Sequence, residues 1–213
     1  LQSQANKTSS SMRALQGVLI GIGVVSAIRT SKAFIQMAGD LQTLQIRLGG
    51  VTGSAKAADD VFNDLTQRFK SAPFDLKAVA DGFSRVAAAG LDIEKTKNLT
   101  AAIVNSVAAF GGGTQEVERA FIGFSQVLGK GTLQMEELRQ QIGEQILSAT
   151  QVRAKEAGVS VAEFTSQVGK GMISGTRAVE LFTSGAEKAF GGFAEKLQYT
   201  INGAMARVKT ELS

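Results

Sequence analysis

Apolar residues recur along most of this chain at spacings of three and four, the period of one face of an α-helix. The clearest run is Val117, Phe121, Phe124 and Leu128. Similar stripes are Val61, Leu65 and Phe69; Val79, Phe83 and Val86; Val179, Phe182 and Phe190; and Leu197, Ile201, Ala204 and Val208. Leu41, Leu44, Leu48 and Val51 keep a short coiled-coil-like seam. No segment alternates apolar and polar residues long enough to argue for a strand, so the pattern predicts an all-α fold.

Helix-stopping and helix-capping residues set the expected boundaries. A long helix from Met12 to about Leu48 is broken by Gly49-Gly50, and Thr52-Gly53-Ser54 starts the next, about 55–71. Asp59 and Asp60 fall in its early turns, where the helix dipole favours acidic groups. Pro73 ends it, because the residue before proline is pushed out of helical geometry. A helix over 75–88 follows, with Gly90 as its left-handed cap. Asp92 caps the next, 93–109, which Gly111-Gly112-Gly113 closes, and Thr114 caps the stripe beginning at Val117. Helix 135–146 is expected to bury Leu138 and Ile142. Ser160 and Glu163 match a capping box, and Gly169 and Gly171 end that helix. Ser174 opens one more, about 176–190, and Gly191-Gly192 separates it from a final helix. The expected architecture is a compact multi-helix domain over 52–190. A basic and apolar helical segment, 1–51, and a C-terminal helix, 191–213, flank it.

Residues 17–28 are apolar on every side and include a Gly-x-x-x-Gly pair, Gly17 and Gly21, with Ile20, Ile22, Val24 and Val25 around it. The charge-free run between Arg13 and Arg29 is shorter than the roughly 20 residues that span a bilayer. Burial among partner helices is the first reading of this segment. Insertion into a membrane, as in a pore-forming helical protein, is the alternative, and a helix lying on a surface is the third reading.

Composition narrows the chemistry. The chain has no Cys and no His, which removes thiolate nucleophiles, disulfides, imidazole bases and the usual zinc ligand sets. No Ca²⁺ loop, phosphate-binding loop or nucleophile elbow is present, and no cofactor is expected. The glycine triplet follows a predicted helix instead of a strand, so it reads as a joint and not a nucleotide loop. The net charge of +4 resides in the first fifty residues, where Lys7, Arg13, Arg29, Lys32 and Arg47 face only Asp40. With almost no aromatic residues beside those charges, specific nucleic-acid binding is not expected.

The most specific stretch is 129–144, Gly-Lys-Gly-Thr-Leu-Gln-Met-Glu-Glu-Leu-Arg-Gln-Gln-Ile-Gly-Glu. Gly129 and Gly131 are expected to need a left-handed or closely packed backbone. Glu137 and Glu144 lie two helical turns apart, a spacing two working carboxylates could use in glycan cleavage. Acidic residues early in a helix are favoured by its dipole alone, and no Trp is present to bind sugar. Surface pairing is therefore the preferred reading, and the chain is not read as an enzyme.

This order of an apolar helix, Lys-Gly, Glu137-Leu138-Arg139-Gln140 and a Gly158-Val159-Ser160 step resembles the tape measure domain of tail tape measure proteins of long-tailed bacteriophages. The resemblance spans about residues 40–190. It departs at Leu147-Ser148, where the family tends to place Pro-Gly. It implies a structural protein of the virion that sets tail length and serves tail assembly and genome ejection. It implies assembly in the host cytoplasm and a place in the tail tube lumen or tail tip. The implied partners are other copies of the chain (a trimer among the options), tail tube, tail tip or baseplate hub proteins, tail assembly chaperones, and the host membrane during ejection. The start at Leu1 is read as a piece of a longer chain.

Overall fold

The computed structural model describes residues 43–69, 72, 74–136 and 159–197. Residues 43–52 are helical. Then come α1 (Ala55–Phe69), α2 (Leu76–Ala88), α3 (Ile93–Ala109), α4 (Thr114–Lys130), α5 (Val161–Gly169), α6 (Gly175–Phe190) and α7 (Phe193–Leu197). Among the described residues there is no strand, only an isolated antiparallel bridge between Thr132 and Ser174. The fold is all-α.

Local chemistry sets most boundaries where the sequence puts them. Asp92 accepts from the amides of Glu94 and Lys95 at 2.9 and 3.3 Å and starts α3. The Ser160 hydroxyl accepts from Glu163 N at 3.1 Å, and that of Ser174 from Arg177 N at 3.2 Å. Gly90, at φ +94°, turns the chain after α2, and its N–H donates to Ala87 O at 3.0 Å.

Two expectations fail for identifiable reasons. The helix over 43–52 runs straight through Gly49 and Gly50, and Gly53 at φ +79° ends it, donating to Gly49 O at 3.0 Å. Keeping Leu44, Leu48 and Val51 on one buried face requires continuous helix. Burial of two leucines, roughly 1.5–3 kcal/mol each, outweighs about 1 kcal/mol per helical glycine. Thr114 does not cap α4. Gly113 occupies the cap position, and the Glu116 carboxylate reaches back to accept from its N–H at 2.9 Å. That bond holds the Glu116 carboxyl below the usual carboxylate range. The Thr114 hydroxyl is directed across the fold, accepting from Asp75 N at 3.2 Å. As expected, α1 begins at Ala55, behind Ser54, whose hydroxyl accepts from Ala57 N, and Asp59 and Asp60 fall in its second turn. Asp60 pairs with Lys56 at 3.0 Å, and Asp59 accepts from Gln45. Pro73, expected to end α1, lies outside the described residues.

Four helices build the centre. The N-terminus of α2 meets that of α4 (Asp75 to Thr114), and their middles meet at Gly82 and Phe121, so the two run parallel. Likewise α3 and α6 are parallel, joined by Lys95–Glu180 near one end and by an edge-on Phe110–Phe190 contact at the other. The pairs oppose each other, since the end of α4 rests on the start of α6 and Phe124 stacks on Phe182 with centroids 4.9 Å apart. α3 is the most enclosed element, with Leu99, Ala102, Ile103, Val104, Val107 and Ala108 buried. Its Thr96 and Thr100 are also fully buried, and each hydroxyl donates to the carbonyl four residues earlier at 2.8 Å. Buried hydroxyls satisfied by their own helix add little cost.

The same core takes in the flanks. Leu44 and Leu48 join it ahead of residue 52, and Ala194 joins it from α7. Leu44, Leu48 and Val51 of the expected seam therefore pack inside this domain, and Leu41 lies outside the described residues. α7 is fixed by a long-range bond in which Ala194 N donates to the buried Asn105 amide oxygen at 2.9 Å.

Candidate functional site

The glycine-punctuated turn after α4 is the part of the sequence signature that the described residues include. α4 ends at Lys130, and Gly131 takes the left-handed conformation at φ +78°, donating to Leu128 O at 3.2 Å. From there the chain forms a clasp with the segment that leads into α6. Gly175 N donates to Gly131 O, and Leu133 N to Ile173 O, both at 2.8 Å. Leu133 and Ile173 are buried beneath these bonds, and Ser174 both bridges to Thr132 and caps α6. Gly175 sits so close to α4 that an added Cβ would stand 2.6 Å from Val127 O.

The two signature glycines differ. Gly131 needs its left-handed backbone. Gly129 is helical with open space where a Cβ would stand, which corrects the expectation that it too is constrained. Opposite outcomes are expected in thermal unfolding: Gly131→Val costs about 1 kcal/mol or more, while Gly129→Ala gains about 0.5–1 kcal/mol. Equal midpoints for the two variants would refute this.

Beyond the turn, Met135 and Glu136 are helical, and Glu136 is exposed. Glu137, Leu138, Arg139 and Gln140 lie outside the described residues, as do Ile142, Glu144 and Leu147-Ser148. So do Gly17, Ile20, Gly21, Ile22, Val24 and Val25, and Ile201, Ala204 and Val208. Among the described helices none is long and apolar enough to cross a membrane.

An open groove of about 800 Å³ runs between α3 and α6, rimmed by Arg68, Lys95, Arg177, Glu180 and Glu187. Its charges answer one another: Glu180 takes Lys95 at 3.4 Å and Arg177 at 3.5 Å, and Arg68 takes Asp64 at 2.8 Å. Among the described residues no three acidic side chains gather closely enough to hold a metal ion. What the arrangement offers is rigid helix packing locked by backbone bonds.

Sequence reasoning missed Gly82, Gly175, Asn105 and the Glu116 cap. Glu116, three residues after Gly113, carried a capping signal. The other three act through partners 39 to 89 residues away, which no local pattern reveals.

A family model described as "Tape measure protein" matches residues 32–213. The chain belongs to the tape measure protein family. Neither a curated protein nor a solved structure matches it. Tape measure proteins are structural components of phage tails and not a known enzyme family, so membership makes this chain a tail component of the virion. Within the matched span lie both halves of the clasp and all seven named helices.

Proposed function

We propose that this chain is a folded module of a phage tail tape measure protein, one that helps tail assembly and genome ejection while other parts of the parent set tail length. The family match over residues 32–213 carries the reading. A ruler made of continuous helix advances about 1.5 Å per residue, so its length is proportional to residue number. Here the helices fold back on one another around α3, so the segment adds little to a linear span. Such a module suits contacts with the tail tip or baseplate hub, assembly chaperones, the tail tube or other copies of the chain, and passage to the host membrane on ejection.

Electron microscopy of tails tests this. Removing residues 43–197 in frame from the parent protein would shorten tails by roughly 230 Å if those residues lay in the ruler as straight helix. The expected result is tails of nearly unchanged length, or a failure to start tails at all. Shortening in proportion to the residues removed would overturn the reading.

A further inference from the structure

We propose that residues 43–52 form a releasable arm, docked on α1 and α2 and hinged at Gly49-Gly50. Leu44 and Leu48 are buried, and Val51 is partly so. At the surface Arg47 meets Asp81 at 2.8 Å and Gln45 meets Asp59 at 3.2 Å. Exposed pairs of this kind add little stability. The opposite face of the arm, with Ile46 and Gly50, is open to solvent.

The two glycines have no packing reason to be glycine. A Cβ at either position would meet nothing within 4 Å, and neither has the positive φ that excludes side chains. What remains is their effect on the backbone. Each glycine shifts the helix-to-coil balance toward coil by about 5-fold relative to alanine. Both fall between the buried Leu48 and the left-handed Gly53 that closes the helix. Opening at 49–50 frees the part bearing Leu44 and Arg47, while Gly53, Ser54 and α1 stay in place.

Hydrogen exchange resolved by segment provides the test, because local opening exchanges amides independently of global unfolding. In the unaltered chain, amides of 43–50 should exchange at least about 10-fold faster than those of α3. Gly49→Ala with Gly50→Ala should slow the arm by about 5- to 30-fold and leave α3 unchanged. Arg47→Ala should speed the arm alone. Exchange of the arm in step with α3, equal slowing of both, or no response to the alanine pair would each overturn the proposal.

Discussion

Gly82→Ala is expected to destabilise the domain by about 1–3 kcal/mol, although glycine-to-alanine changes inside helices ordinarily stabilise by about 0.5–1 kcal/mol. Gly82 lies in the middle of α2, buried, and an added Cβ would overlap the ring carbons of Phe121. The Phe121 ring thus lies directly on the α2 backbone, and α2 and α4 pack as closely as they do because nothing projects between them. Phe121 is itself fully buried, as are Phe83 and Phe124 nearby in sequence on the same two helices. In a close-packed interior a displaced ring must push a neighbour off its rotamer or move a helix. Steric cost therefore exceeds the gain in helix propensity, and the sign of the change decides the matter. Chemical denaturation should show a lower midpoint at an unchanged slope. Phe121→Leu, costly alone, should recover at least about 1 kcal/mol of the Gly82→Ala loss in a double-mutant cycle. An additive cycle, or a stabilised single variant, would show that the two helices do not meet at this ring.

Gly82 also marks where reading a sequence stops. Asp92, Ser160 and Ser174 could be identified as caps because a capping bond spans two or three residues, and the stripes in α1, α2 and α4 because helical periodicity is local. Gly131 was legible as a left-handed stop for the same reason. Thr114 and Gly49-Gly50 were misread because a tertiary partner changed the outcome: Asp75 N for the hydroxyl, and burial of Leu44 and Leu48 for the glycine pair. Nothing in the residues around 82 announces an aromatic ring from 39 positions away. The family resemblance, in turn, is carried by the order of an apolar helix, Lys130-Gly131 and Glu137-Leu138-Arg139-Gln140, and the family match over residues 32–213 bears it out.

Gly175→Val should have the larger effect, about 3 kcal/mol or more, because its close neighbours cannot rotate away. The Cβ would stand 2.6 Å from Val127 O, 3.2 Å from Val127 C and 3.3 Å from Leu128 Cα, all backbone atoms of α4. At Gly82 a ring can tilt; here only a displacement of α6 from α4 gives relief. That displacement pulls on both clasp bonds, Gly175 N to Gly131 O and Leu133 N to Ile173 O. Each buried backbone group left without a partner costs about 1–3 kcal/mol, in addition to the overpacking itself. The movement also separates Phe124 from Phe182, since both rings stand on the two helices that must part. Thr176, the next residue, is exposed, so Thr176→Ala serves as a control expected to stay within about 0.5 kcal/mol. Unfolding measurements on the two variants, with exchange rates at the Leu133 and Gly175 amides, separate a broken clasp from a general loss of stability. In Gly175→Val the Leu133 amide should lose protection at denaturant concentrations where α3 keeps its own. If Gly175→Val matched the control, α4 and α6 could not be held together by the backbone clasp.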